Sequence, residues 1–195
     1  MDESVLINFI KTNVPNVPID EQSLLLIAKQ FEEKNLHKDE YLLKEGKISG
    51  YYFLAKGFLR VFTFDTDGNE VTTYFYSQNR IVFDAASFFL KRPSSEYIQA
   101  MTDCTVYSTN FEKLNKLFHS VAAFREFGRQ MIVNEFVAYK QRTLAMINQS
   151  AEERYLKLIE TNNDVFQYAH LSHIASYLGI SERTLNRVRQ NATKK

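Results

Sequence analysis

The sequence predicts an α+β protein in which an all-β barrel or sandwich precedes a long helix and a C-terminal helix-turn-helix. Three observations lead to this prediction. Between about residues 36 and 109, short apolar runs alternate with turn residues, which is typical of an all-β barrel or sandwich. Residues 120–147 contain no Pro and a single Gly, as expected of one long helix. Residues 171–190 have the spacing of two short helices joined by a tight turn.

The composition indicates a folded protein rather than a disordered or disulfide-rich one. Hydrophobic residues make up 45% of 195 residues, and 16 Phe and 11 Tyr allow a substantial core. No apolar run is long enough to cross a membrane, and the start of the chain is acidic and amphipathic rather than signal-like. We therefore expect a cytoplasmic protein without a membrane partner. The single cysteine, Cys104, excludes an internal disulfide and is expected to be a small core residue.

The N-terminal part predicts two helices followed by a series of strands. The helices are expected at residues 3–12 and 20–34, with Asp20 as the N-cap of the second. Asp67-Gly68 lies between two strand-like runs and predicts a hairpin, because Gly accepts a positive φ. The predicted strands are residues 41–43, 51–55, 58–64, 71–77, 81–83, 97–100 and 105–109.

The region after Asn110 predicts helices and a dimer seam. A short helix at 112–118 precedes the long helix, whose apolar stripe is wider than one small barrel needs. We expect a homodimer along this helix; the alternative is a helix lying entirely against its own barrel. The predicted dimer contacts are Phe124, Phe127, Met131, Ile132 and Phe136.

The capping-box pattern that begins at Ser150 predicts a new helix, because Glu153 stands three residues after the serine. It marks the boundary between the long helix and the C-terminal part. The predicted domains are a sensor at residues 1–119, a dimerisation helix and linker at 120–149, and a helix-turn-helix domain at 150–195.

The helix-turn-helix prediction depends on a few inner positions. Ile174, Ala175 and Leu178 form an apolar stripe, and Ala175 is small enough for two helices to cross closely. Gly179 can end the first helix in the left-handed conformation. Ser181 is placed to cap a second helix, whose Leu185 and Val188 continue the stripe.

The outward side of the second helix has the chemistry to contact DNA. From residue 165 to 195, five cations (Arg183, Arg187, Arg189, Lys194 and Lys195) oppose one acid, Glu182, although the whole chain carries only +1. We expect Arg183 and Arg187 to contact base edges and Ser181, Thr184 and Arg189 to contact phosphate. The alternative is an ordinary helical hairpin with a solvated basic side. The predicted DNA-binding residues are Ser181, Glu182, Arg183, Thr184, Asn186, Arg187, Arg189 and Gln190.

The sequence contains no motif that indicates an enzyme or a cofactor site. HExxH, GxSxG, Walker-type and GxGxxG patterns are absent from the sequence, so an enzyme is not predicted. None of the four histidines falls in a central predicted strand, and His170 and His173 are better placed near DNA phosphate than on a metal. A lone cysteine cannot hold an iron–sulfur cluster. Core packing explains the presence of Cys104 more simply than haem ligation does. No metal or cofactor is predicted.

Three segments carry a family resemblance. They are YYFLAKGFLRVF (51–62) with the hairpin that follows, SAEERYLKLIE (150–160) and IASYLGISERTLNRVR (174–189). Over nearly its whole length the chain resembles the bacterial transcription regulators related to the cAMP receptor protein and FNR, the Crp/Fnr family, and is most similar to compact Bacteroidetes-type members. The resemblance implies that the all-β part is a cyclic-nucleotide-binding-like β-roll, meaning a double-stranded β-helix or jelly roll. It also implies a homodimer and an operator in double-stranded DNA. It also implies RNA polymerase as a further partner, and a small-molecule effector of unknown identity.

The effector segment departs from the family pattern. Where cyclic-nucleotide-binding members have Gly-Glu, this chain has Phe83-Asp84, and Ser94-Ser95-Glu96 replaces their Arg-Ser/Thr-Ala. The predicted effector pocket consists of Phe83, Asp84, Arg92, Ser94 and Ser95. Glu96 would oppose a cyclic phosphate, and Arg92 stands two residues early, so we predict that cAMP and cGMP bind poorly. The recognition helix also differs, since Glu182-Arg183 stands where the cAMP receptor has Arg-Glu. The alternative belongs to a different functional class of protein. It is a small-molecule-binding or protein-interaction module of the same fold that has lost DNA binding.

Overall fold

The computed structural model describes residues 3–192, so Lys194 and Lys195, which contribute to the predicted basic C-terminus, lie outside the described residues. The chain begins with α1 (Glu3–Asn13) and α2 (Glu21–Ala28). As predicted, Asp20 caps α2, its carboxylate accepting the Ser23 N–H at 2.7 Å. The apolar sides of both helices, including Leu6, Ile10 and Ile27, pack on a core shared with the β-roll.

The predicted helix at 20–34 is too long, because α2 ends at Ala28 and Glu32–Leu36 forms strand β1. β1 pairs antiparallel with β8 (Cys104–Thr109). Four of its five residues are exposed and only Leu36 is buried, so it has no apolar alternation that would identify a strand. Backbone pairing with a distant strand overrides the local preference for helix.

The β-roll consists of two four-stranded antiparallel sheets, with strand orders β1-β8-β3-β6 and β2-β7-β4-β5. All seven predicted strands are present, with ends that differ by no more than one residue. At the predicted hairpin between β4 and β5, Gly68 has φ 82°, and the Asp65 carboxylate accepts the N–H groups of Asp67 and Asn69. The strands not yet given are β2 (Tyr41–Leu43), β3 (Tyr51–Lys56), β4 (Phe58–Phe64), β5 (Glu70–Ser77), β6 (Arg80–Val82) and β7 (Tyr97–Ala100).

Three helices accompany and follow the roll: α3 (Ala85–Leu90), α4 (Phe111–Ser120) and the long α5 (Ala122–Asn148). The predicted long helix is confirmed, although Val121, in an extended conformation, separates it from α4. Among the described residues, the buried positions of α5 are confined to its first two turns. Its remaining turns contain only half-buried and exposed residues, so most of α5 is only partly covered.

The prediction that Phe124 and Phe127 form dimer contacts is wrong, because each is 1% exposed in the core of its own chain. Phe124 packs on Phe118, and Phe127 packs edge-on against Phe9. Met131 is half-buried against the same core. Helical periodicity identified an apolar stripe but not the surface that covers it.

The C-terminal part is helical, with α6 (Ala151–Thr161), α7 (Val165–Tyr168), α8 (Leu171–Leu178) and α9 (Glu182–Ala192). The predicted capping box at the start of α6 is confirmed: Glu153 N–H donates to Ser150 Oγ at 3.2 Å, and Ser150 N–H donates to the Glu153 carboxylate at 2.7 Å. No helix in residues 3–192 combines the length and apolar character that crossing a membrane requires.

The helical C-terminal part shares one hydrophobic core with the β-roll. Phe58, Phe75 and Met101 of the roll pack with Leu158, Ile174, Leu185 and further buried residues of the helices. A hydrogen bond from the backbone N–H of Thr72 in β5 to Ser176 Oγ in α8 spans the contact at 2.9 Å. The helix-turn-helix therefore lies directly on the sheet that contains β4 and β5.

Candidate nucleic-acid interface and effector cavity

The turn between α8 and α9 has the geometry that the sequence predicts. Gly179 ends α8 in the left-handed conformation, with φ 64° and ψ 39°. Its N–H donates to the Ser176 carbonyl and the Ile180 N–H donates to the Ala175 carbonyl, both at 3.0 Å. Ser181 Oγ then accepts the Thr184 N–H at 3.2 Å and caps α9. The two helices are thus fixed at a defined angle by backbone and cap hydrogen bonds.

Helix α9 divides its residues clearly between the core and the surface. Leu185 is fully buried and Val188 is 6% exposed, both facing α6 and α8. Of the eight predicted DNA-binding residues, Thr184 is half-buried and the others are exposed: Ser181, Glu182, Arg183, Asn186, Arg187, Arg189 and Gln190. The hydroxyls of Ser181 and Thr184 lie 3.0 Å apart, so both already take part in the cap.

The exposed face of α9 can contact a nucleic acid without unfolding any part of the chain. Arg183 and Arg187 are four residues apart and therefore project from the same side of the helix. Guanidinium groups make bidentate hydrogen bonds to guanine or to phosphate, and amides such as Asn186 and Gln190 suit adenine. The arrangement provides one polar, mainly basic helix face of the kind that enters a major groove.

The cavity at the predicted effector segment is lined by only part of the predicted set. It has a volume of about 480 Å³ and is open to solvent on one side. Asp84, Arg92 and Ser95 line it, together with residues not predicted: Thr63, Ala86, Ser87, Pro93 and Glu96.

Phe83 and Ser94 do not line this cavity, so their assignment to an effector pocket is wrong. The Phe83 ring packs with the aromatic side chains around Tyr51 and Phe88. Ser94 is 3% exposed and donates its hydroxyl hydrogen to the Asp84 carboxylate at 2.7 Å. Because its hydroxyl is buried in this hydrogen bond, Ser94 does not form part of the cavity wall.

Two carboxylates dominate the electrostatics of this cavity. Asp84 caps α3 by accepting the Ser87 N–H at 3.1 Å. The Glu96 carboxylate accepts the Thr73 hydroxyl at 2.8 Å. Burial, assisted by the charge of Asp84, raises the pKa of Glu96 above its ordinary value. A further anion placed here would face two acids and one exposed arginine, Arg92.

Sequence reasoning missed a buried arginine beneath the helix-turn-helix. Arg60 in β4 is 1% exposed; its Nε donates to Thr72 Oγ1 at 2.9 Å and its Nη1 contacts the Glu70 carboxylate at 2.6 Å. Its guanidinium also stacks on Phe62, 4.4 Å from the ring centre. Arg60 occurs within an apolar run, and nothing in the local pattern shows that its charge is buried.

His170, the N-cap residue of α8, and His173 within α8 do not form a metal site with other described residues. The His170 and His173 rings meet edge to face, 5.2 Å apart, and no cluster of three metal-ligating side chains occurs in residues 3–192. His173 Nδ1 is buried without a hydrogen-bond partner among these residues. Burial and the positive charge of Arg60 lower the pKa of His173 to about 4. The ring is therefore neutral near pH 7.

Comparison with known proteins first gives a match over the β-roll. Residues 33–121 match the family model "Cyclic nucleotide-binding domain". The match begins within β1 and ends at Val121, just before α5, so it covers the β-roll and α4. No curated protein matches the chain.

Solved structures then extend the likeness to the whole chain. FixK2 from Bradyrhizobium japonicum has a TM-score of 0.70 at 18% identity, covering 84% of this chain and 85% of that one. A CooA mutant from Carboxydothermus hydrogenoformans has a TM-score of 0.69 at 14% identity, covering 95% and 84%. A Crp/Fnr-family regulator from Eubacterium rectale has a TM-score of 0.68 at 14% identity, covering 89% and 83%. The chain has the fold of the Crp/Fnr regulators, and the predicted resemblance is confirmed to that extent.

Proposed function

We propose that this chain is a homodimeric, sequence-specific DNA-binding transcriptional regulator of the Crp/Fnr type, not an enzyme. The proposal depends on the burial pattern of α9. Leu185 and Val188 are buried, while Arg183, Asn186 and Arg187 are exposed on the opposite side. A helix held by its apolar side and capped at Ser181 presents a rigid polar face to a major groove. Within this proposal, Arg183 and Arg187 contact bases.

The exposed part of α5 supports the homodimer. Ile132 is 49% and Phe136 67% exposed, and Val133, Val137 and Ile147 are exposed beside them or further along the helix. A long helix with an uncovered apolar stripe is stabilised by packing on another copy of itself, which buries the same stripe twice around a two-fold axis. A two-fold dimer would also place two copies of α9 on paired half-sites. We therefore retain Ile132 and Phe136 as proposed dimer contacts.

The effector of this regulator is proposed to be something other than cAMP. The carboxylates of Asp84 and Glu96 stand at the cavity where a cyclic phosphate would have to be neutralised. Arg92 is the one arginine that lines this cavity within the described residues, and its backbone carbonyl accepts the Ser87 hydroxyl at 2.7 Å. A dianionic pair and a single exposed guanidinium do not compensate a buried phosphate.

DNA binding is tested by selecting bound fragments from genomic DNA and measuring affinity with Arg187→Ala. Loss of a bidentate base contact costs about 1–3 kcal/mol on the selected site and relaxes preference at one base pair. Lys116→Ala, at an exposed position of α4 away from α9, is the matched control and should bind like the unmodified chain.

Two outcomes would contradict parts of this proposal. An equal loss on selected and random DNA would make Arg187 a phosphate contact and should reduce the dependence of log K on log salt concentration. Failure to retard any genomic fragment at low salt would favour the alternative, a small-molecule-binding or interaction module of the same fold without DNA affinity.

A further inference from the structure

A second and larger cavity lies where the β-roll, the long helix and the helix-turn-helix part meet. We call it the interdomain cleft; it has a volume of about 790 Å³, and β5, α5, α6 and the end of α8 form its walls. That volume is within the range of small-molecule sites in proteins. The cleft contains none of the residues that line the cavity at Asp84 and Arg92.

The cleft uses a different side of α5 from the centre of the proposed dimer seam. Glu135 and Arg142 line the cleft, whereas Val133, Phe136 and Ile147 are exposed on the apolar stripe. At about 100° per residue, the centres of these two sets lie about 140° apart around the helix axis. Pairing centred on Val133, Phe136 and Ile147 therefore leaves Glu135 and Arg142 outside the centre of the seam.

One end of the cleft presents an unpaired hydrogen-bond acceptor. Glu135 Oε2 is buried and has no hydrogen-bond partner among the described residues. Burial raises the pKa of Glu135, against the opposing effect of the Arg80 charge. A buried acceptor without a hydrogen bond is unfavourable, so a ligand donor placed here would be stabilised by bonding to it.

An aromatic wall adjoins this acceptor. Tyr74 and Tyr76 of β5 line the cleft, with ring centres 4.5 Å apart. Tyr177 of α8 lines it further along. Flat apolar walls of this kind favour a planar ring between the two ends.

The other end of the cleft is cationic. Arg142 Nη2 donates to the Tyr177 carbonyl at 3.0 Å, and its guanidinium stacks on the Tyr177 ring at 4.3 Å. Arg154 donates to the carbonyls of Leu178 and Gln149 at 3.1 and 2.6 Å. These bonds orient both side chains and leave further N–H groups on each, since a guanidinium has five. Lys157 adds an ammonium group beside them.

The charge of the whole cleft favours an anion. Besides Arg142, Arg154 and Lys157, the lining contains Arg80, and these four cations face two acids, Glu135 and Asp164. None of the four cations forms an ion pair with another residue in the described part of the chain. A carboxylate at the Arg142 end would be paired with two oriented guanidinium groups.

The spacing of the two ends sets the length of the ligand. Glu135 and Arg142 are seven residues apart, which is about 10.5 Å along an α-helix and nearly two full turns, so both project from the same side. We propose that the interdomain cleft binds an elongated aromatic acid, about 10 Å long, with an amine donor at the Glu135 end and a carboxylate at the Arg142 end. A ligand seated here touches the sensor strand, the long helix and the DNA-binding part together.

The test uses calorimetry on the full chain with three related probes. Para-aminohippurate has an amine, a ring and a carboxylate over about 10 Å; hippurate lacks the amine, and para-aminobenzamide lacks the carboxylate. We expect saturable heat with para-aminohippurate and at least tenfold weaker binding of each of the other two. Because the comparison needs no mutation, it does not depend on the folding of a variant.

Two substitutions assign the ends of the cleft. Glu135→Gln should weaken the binding of para-aminohippurate about tenfold and leave the affinity for hippurate unchanged. The difference isolates the contact with the amine. Lys157→Met should weaken the binding of the two probes that have a carboxylate, para-aminohippurate and hippurate. It should leave the affinity for para-aminobenzamide unchanged. Lys116→Met on α4 is the matched control and should alter none of the affinities.

The outcomes separate this proposal from the proposed function. Absence of saturable heat with millimolar para-aminohippurate, equal affinities of the three probes, or indifference to Glu135→Gln would each overturn the ligand assignment. DNA retardation is measured on the same preparations without a probe. If the chain binds DNA but no probe, only the cleft proposal is overturned. If it binds the probe but no DNA, only the proposed function as a DNA-binding regulator is overturned.

Discussion

The shared core between the β-roll and the helix-turn-helix makes Phe58→Ala a sharp test of how the two parts are joined. Phe58 belongs to β4, is fully buried, and its ring lies 5.7 Å from that of Phe75 and 5.5 Å from that of Tyr168. Deleting a phenyl group leaves a cavity of up to about 100 Å³, which costs about 2.4 kcal/mol at about 24 cal/mol per Å³. The lost transfer free energy adds about 2 kcal/mol, for a total of about 4 kcal/mol.

The assay is urea unfolding at fixed protein concentration, followed by far-UV circular dichroism for the helices and near-UV signals for the aromatic core. Because Phe58 is at the contact of both parts, we expect one coincident transition that moves to lower urea in the variant. Phe64→Ala in the same strand is the control; Phe64 is 46% exposed, so its loss should cost about 1 kcal/mol or less. A cost below about 1 kcal/mol for Phe58→Ala, or separate transitions for the roll and the helices, would refute the shared core.

Three further predictions follow from the same contacts. Phe136→Asp places a charge on the exposed apolar stripe of α5 and should shift the chain from dimer to monomer in analytical ultracentrifugation, whereas the same change at the exposed Lys116 should not. Calorimetry with millimolar cAMP should show no saturable heat of micromolar affinity, because Asp84 and Glu96 oppose the phosphate. The pKa of His173 is lowered from 6.5 to about 4, so the folded chain disfavours its protonation; the resulting stability is present above about pH 6.5 and is lost as the pH falls towards 4. His173→Gln should make the unfolding free energy less dependent on pH in that window, and an unchanged profile would show that His173 is not responsible.

Local patterns were sufficient for the elements whose signals are contained in a few neighbouring residues. The capping box at Ser150 and the turn at Gly179 depend on hydrogen bonds within one helical turn, and both were predicted correctly. The hairpin at Gly68 likewise depends on one residue with a positive φ. The outward face of α9 followed from helical period alone, since the buried positions Leu185 and Val188 determine which residues lie opposite.

Errors arose where a distant surface decides the outcome. Strand β1 is polar and exposed, and only its pairing with β8 makes it a strand. Phe124 and Phe127 have the same spacing on α5 that a dimer seam would have, but Phe9 and Phe118 of their own chain cover them. Ser94 looked available as a polar residue of the effector segment, and its hydrogen bond to Asp84 removes it from the cavity.

The sequence by itself determined the strands β2 to β8, the long helix α5, the start of α6 and the polar face of α9, because each is encoded by periodicity, caps and turns between near neighbours. The tertiary structure alone decided which apolar stripes are covered and where cavities form. It buries Arg60 beneath α8, leaves Phe136 uncovered on α5, and brings Glu135, Arg142 and Tyr74 to one cleft. Packing joins residues far apart in the chain, and their spacing in sequence has no information about which surfaces will meet.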